Sequence, residues 1–139
     1  MKKITALIGI GHWGAVHLKY LIKLKNIEIK YIYFRKRYPI KLPQNLKNKV
    51  TNNLNAILND KKIQYVHIVT PIKTHESLVN FADLKNKKIL VEKPLIMTKA
   101  FEKKIDKSIK NKKFNLYVSY PYLFSKTLFF SKSIIDTKK

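Results

Sequence analysis

The sequence predicts an α/β fold, a doubly wound parallel sheet, on three observations. A short apolar run, Ile4 to Ile8, leads into a turn spaced by glycines, and a helix-patterned segment follows. Further apolar runs rich in Ile, Val and Tyr then alternate with amphipathic stretches to the end of the chain, which is the pattern of β-α units building one parallel sheet. With 139 residues, 45% hydrophobic and 12% aromatic, the chain is long and apolar enough for one domain with a real core.

Each element has its own signal. Ile4–Ile8 is continuous rather than alternating, as a strand buried on both faces should be. From Trp13 to Leu24 the apolar residues Trp13, Val16, Tyr20, Leu21 and Leu24 recur at helical spacing. Residues 28–34 read as a second strand. Residues 38–49 contain Pro39 and Pro43 and no period, so they read as a loop with a helical turn at most. A short strand is expected near Val50, a short helix over 53–58 and a strand over 62–70. Thr74 is the expected N-cap of a helix from His75 to Leu84, and Thr98 that of a helix ending near Lys110. Strands are expected over 88–91 and 114–119, and a last helix over 125–136. Residues 1–119 would form the main domain and 120–139 the start of a second, otherwise missing one.

The glycine turn carries the chemistry. Gly9-Ile10-Gly11-His12-Trp13-Gly14 is G-x-G-x-x-G and holds the chain's only three glycines. Gly9 permits the tight turn, Gly11 lets a pyrophosphate approach the backbone, and Gly14 lets helix and sheet pack closely. The first turn of the helix would hold the phosphate charge. A lone motif of this kind is weak, but its place between strand and helix strengthens it. His12, inside the loop, faces either a phosphate or solvent. Met1-Lys2-Lys3 before apolar residues also resembles a signal peptide, yet the apolar run is short and no cleavage site follows it.

A carboxylate roughly 20 residues past the motif ordinarily grips the ribose of NAD. No Asp or Glu occurs between Glu28 and Asp60, and the second strand ends instead in Arg35-Lys36-Arg37. A cationic cluster suits a ribose 2′-phosphate, so NADP is favoured over NAD. A solvated basic turn is the alternative.

The charge is +22, from 30 basic and 8 acidic residues. That balance suits a polyanion partner, but arginine, the better bidentate reader of phosphates and bases, occurs only at 35 and 37. Lysines lie scattered beside Asn and Ile, as compositional drift would leave them, so no specific nucleic-acid partner is expected. No apolar run approaches the roughly 18 residues of a membrane helix. The absence of cysteine excludes disulfides and thiolate metal sites and fits a reducing cytoplasm.

Ligands of doubly wound sheets bind beyond the carboxyl ends of the strands. The glycine loop, Arg35, the Thr70–His75 segment and Glu92–Pro94 all follow expected strand ends. At this point the chain resembles the Gfo/Idh/MocA family, the glucose-fructose oxidoreductase and inositol dehydrogenase group. The resemblance rests on Gly9–Gly14, on Val69-Thr70-Pro71-Ile72-Lys73-Thr74-His75, on Val91-Glu92-Lys93-Pro94-Leu95 and on 115–120. It implies a Rossmann domain binding NAD(P), with Thr70, Pro71 and His75 lining the nicotinamide side. Lys93 would be the catalytic residue, polarising a substrate oxygen or assisting proton transfer. Glu92 would orient Lys93 or the ribose, and the Lys93–Pro94 bond would be cis. The implied reaction moves a hydride between the cofactor and a sugar- or cyclitol-like carbon. The alternatives are a non-catalytic nucleotide-binding module or degenerate remnant and, behind it, a basic nucleic-acid-binding domain. Tyr120, Tyr122, Phe124, Phe129 and Phe130 would pack under a second domain in a longer protein; left uncovered, they predict self-association.

Overall fold

The computed structural model describes residues 2–35, 41–111 and 115–136. Its centre is one sheet of six parallel strands: β1 (Lys3–Ile8), β2 (Ile27–Tyr33), β3 (Val50–Thr51), β4 (Tyr65–Ile68), β5 (Lys88–Glu92) and β6 (Leu116–Ser119), in the spatial order β3-β2-β1-β4-β5-β6. The helices are α1 (His12–Leu21), α2 (Gln44–Lys47), α3 (Leu54–Asn59), α4 (His75–Leu84), α5 (Lys99–Lys110) and α6 (Lys126–Asp136). This is the α/β fold expected, and no second domain is present among the described residues. None of the helices described is long and apolar enough to cross a membrane.

The period-two side-chain pattern of β1 feeds two cores. Ala6 and Ile8 pack with Ile57 and Leu58 of α3, Leu78 and Val79 of α4, and Phe101 and Ile105 of α5. Leu7 faces the other way, onto Leu18 and Leu21 of α1, Ile29 and Ile32 of β2, and Leu46 of α2. Both faces of β1 are therefore dry, which is why Ile4–Ile8 shows no polar alternation.

Two readings of the sequence need correction here. The buried stripe of α1 is Gly14, Leu18 and Leu21, not Trp13, Tyr20 and Leu24, which stand largely exposed. The strand expected over 62–70 spans only Tyr65–Ile68, because Ile63 bonds back to the Asp60 carbonyl in a turn. Tyr38, Pro39 and Phe114 lie outside the described residues.

The order reverses at β1: β2 lies on one side, β4 on the other. Ile8 is level with both Tyr33 and Ile68. The chain therefore leaves three neighbouring strands at one edge, and the loops after them sit side by side. An open α/β sheet forms its ligand crevice at such a reversal.

Candidate functional site

The glycine turn is built from contacts that exclude side chains. Gly9 has φ +103°, and a Cβ there would lie 2.6 Å from the Val69 carbonyl oxygen. Only glycine adopts that backbone at no cost. A Cβ on Gly14 would lie 2.4 Å from the Gly9 carbonyl oxygen, so Gly14 sets how closely α1 approaches β1. Gly11 differs from both. Its φ is −72°, open to any residue, and a Cβ there would meet nothing within 4 Å. What Gly11 keeps clear is space outside the protein. It is also the N-cap of α1, with no side-chain cap and no acidic residue in the first turn. The positive end of the helix dipole is left uncompensated there.

That space opens into a cleft of about 650 Å³. Gly9, Gly11, His12 and Trp13 line one wall, Tyr33 to Arg35 the end of β2, and Thr70, Pro71 and Thr74 the opposite wall. His12 is the first residue of α1 rather than a loop residue; it is exposed and stacks edge-on against Trp13, centroids 5.7 Å apart. A smaller recess of about 150 Å³ adjoins the cleft, sharing Trp13, Val69 and Thr70 with it and bounded by His75, Glu92 and Lys93. Lys36 and Arg37 of the basic cluster lie outside the described residues.

His75 reaches the site in an unexpected way. Its ring is buried, 1% exposed. Nε2 lies 2.8 Å from the Thr70 carbonyl oxygen and Nδ1 3.0 Å from that of Pro94. A neutral imidazole donates to one of these carbonyls, a cationic one to both; neither nitrogen is left for a ligand. The side chain ties the loop after β4 to the loop after β5, and the Lys93–Pro94 peptide at the start of the second loop is cis. Thr74 does not cap α4 through its side chain. Its hydroxyl instead lies 2.7 Å from both Thr70 Oγ1 and the Pro71 carbonyl oxygen, folding the β4–α4 loop onto itself. Thr98 does cap α5, accepting from the Phe101 amide. Glu76 accepts from the Met97 and Thr98 amides and from the Thr98 hydroxyl, which fixes the segment beyond Pro94 against α4.

Glu92 is buried at the end of β5. Its Oε1 lies 2.9 Å from His17 Nε2, and its Oε2 accepts from the Lys93 amide at 3.2 Å. Both oxygens are thus engaged by protein groups, so Glu92 sets the backbone from which Lys93 projects. Sequence reasoning missed His17. Its signal was a second histidine, three residues past Gly14, on a helix that begins with His12 and carries one lysine, Lys19. It also missed His67 on β4, whose ring lies 6.5 Å from that of His17 and whose buried Nδ1 has no partner. Burial, and then the nearby His17, push His67 down to about 4.

The elements and loops described are those of a nucleotide-binding α/β domain. Residues 3–120 match the Gfo/Idh/MocA family model, described as an oxidoreductase family with an NAD-binding Rossmann fold. The chain belongs to that family. Among solved structures it superposes on a candidate NADPH-dependent oxidoreductase from Desulfitobacterium hafniense (TM-score 0.81, 23% identity, 99% of this chain and 40% of that one). It likewise matches myo-inositol 2-dehydrogenase from Lactobacillus plantarum (TM-score 0.78, 18% identity, 99% and 42%). A third is GenD2 from gentamicin A biosynthesis, solved with NAD (TM-score 0.76, 21% identity, 90% and 36%). The chain thus spans about two fifths of the length of these proteins. No curated protein matches it.

Proposed function

We propose that the cleft binds NAD(P), NADP in preference, and that the recess beside it is where a hydride passes to or from a sugar- or cyclitol-like carbon. The observation that carries this reading is the open space over Gly11 at the mouth of the α1 dipole, continuous with a recess that Lys93 lines. A dinucleotide needs that combination: a backbone it can touch, unspent helix N–H groups, and an aromatic and apolar wall.

Bound, the cofactor would supply the hydride at its nicotinamide ring. The chain's own residues would do the rest. Gly9, Gly11, His12, Trp13 and Gly14 would shape the pyrophosphate seat, and Arg35 would meet the adenosine ribose or its phosphate. Thr70 and Pro71 would wall the nicotinamide side. His75, Glu92 and Pro94 would hold the loop from which the Lys93 ammonium donates to the substrate oxygen as its charge changes. The nucleotide-binding unit would be residues 1–119, with 120–139 opening a further one. The lack of cysteine favours a reducing cytoplasm.

A second reading, dinucleotide binding without turnover, is favoured by the chain's spanning only about two fifths of the solved structures it matches. Lys93→Ala separates the two. Loss of turnover with dinucleotide affinity unchanged supports catalysis; a wild-type chain that binds but never oxidises or reduces a polyol or its ketone supports the second. Arg35→Ala tests the cofactor preference. It should weaken NADPH about tenfold, the scale of one charge-assisted contact, and leave NADH unchanged; tighter NADH than NADPH in the wild type ends the NADP reading.

A further inference from the structure

We propose that the protein has a second anion site, a groove for a small oligophosphate on the sheet edge opposite the glycine loop. The groove, about 600 Å³, runs between the α3–β4 connection and the turn from α4 into β5. It lies at the amino ends of β4 and β5, whereas the cofactor cleft lies beyond the carboxyl ends. The buried Leu58 and Ile63 give it an apolar floor, the exposed Leu84 joins the lining, and Lys61, Lys85, Lys87 and Lys88 supply its charge.

Three observations turn this lysine cluster into a site. First, Lys87 is buried, 6% exposed, and its Nζ donates to the carbonyls of Asp60 and Ile63, both at 2.8 Å. An ammonium has three donors, so one remains after these two. Second, among the described residues no carboxylate forms an ion pair with these lysines, although Asp60 acts on Lys87 through space. Asp60 is paired with Lys30 and accepts from the Lys62 amide. The only other ion pair among the described residues is His17–Glu92. Third, Lys3 and Lys88 both stand over the Tyr65 ring, 5.7 and 5.4 Å from its centre. Lys88 and Tyr65 both line the groove, so this contact adds to the positive charge gathered at the amino end of β4.

The ordinary alternative is that these lysines offset the negative ends of α3 and α4. Backbone groups already do much of that work. The Ala82 carbonyl accepts from the Lys85 and Lys87 amides, the Asp83 carbonyl from Asn86, and the Ala56 and Ile57 carbonyls from Asp60. The ammonium groups of Lys61, Lys85 and Lys88 are surplus to the helix ends. Several adjacent phosphates, each able to meet one or two lysines, match that spread better than a single carboxylate.

Calorimetric titration of the whole chain with sodium tripolyphosphate near 0.15 M ionic strength, with and without saturating NADPH, tests this. Tripolyphosphate should bind with one-to-one stoichiometry in both conditions. The double variant Lys85→Gln, Lys88→Gln should weaken it by about tenfold or more. A control removing the same charge from α5, Lys103→Gln with Lys107→Gln, should change it by less than about threefold. Unchanged melting temperatures would show that both variants fold. ATP in place of tripolyphosphate distinguishes the source: tighter binding indicates a nucleotide, equal binding a free oligophosphate. Absence of saturable binding, equal losses in the two double variants, or displacement of tripolyphosphate by NADPH would each overturn the site.

Discussion

Single residues set the electrical character of the sheet's interior. His67 is the sharpest case, an imidazole on β4 with an orphan nitrogen and a pKa pushed from 6.5 to about 4 by burial. Its folded value lies below its unfolded one. Between pH 6.5 and about 4 the unfolded chain therefore takes up a proton that the folded chain refuses, and stability falls as pH drops through that window. The full loss is about 3 kcal/mol, following from the size of the shift. Urea unfolding at pH 7 and pH 4.5 should register most of that loss in the wild type and little of it in His67→Leu; equal losses in the two proteins would refute this. Asp60, whose carboxyl the Lys30 hydrogen bond holds below its ordinary range, adds its own loss only at lower pH. None of this was legible in the sequence, because a histidine within a Tyr-Val-His-Ile strand reads the same whether its ring is wet or dry.

At the scale of elements, the turn from β1 into α1 divides its labour among the glycines. Gly9 and Gly14 are required by the protein's own packing, whereas a Cβ on Gly11 would meet nothing within 4 Å. Gly9→Ala places a methyl group against the Val69 carbonyl on a backbone of positive φ, and should destabilise the fold by about 2–3 kcal/mol. Gly11→Ala should leave the unfolding midpoint within error of wild type. Equal destabilisation by both would contradict the division. The motif announced this turn, and the alternation of apolar runs announced most strands and helices, because burial on both faces leaves a continuous apolar signature. Three features were hidden by tertiary context. The stripe of α1 turned towards Leu18, which the sheet selects and periodicity alone does not. Thr74 spent its hydroxyl within the β4–α4 loop rather than on α4. His75 bounds the recess, but its ring nitrogens face two carbonyls contributed by separate loops, a bridge no local pattern encodes.

For the molecule as a whole, the carboxyl edge of the sheet and its β6 flank carry different burdens. The carboxyl edge gathers the loops, while β6 and α6 leave apolar surface unsatisfied. No residue of α6 is buried, and Phe124 is 83% exposed, with Tyr122, Phe129 and Phe130 also open. Such a patch favours association. Sedimentation of the wild type should show concentration-dependent oligomers that Phe129→Ser with Phe130→Ser reduces without moving the melting temperature; a wild type monomeric at high concentration would remove the expectation. The central claim concerns the carboxyl edge, that the cleft over Gly11 holds a nicotinamide dinucleotide. Trp13, the chain's only tryptophan, lines that cleft and stands 53% exposed, so its fluorescence reports occupancy directly. Titration with NADPH should quench Trp13 to saturation, and Gly11→Ala should weaken the transition about tenfold or more while the protein remains folded. Absence of saturable quenching with NADPH and with NADH, or an unchanged titration in Gly11→Ala, would contradict it.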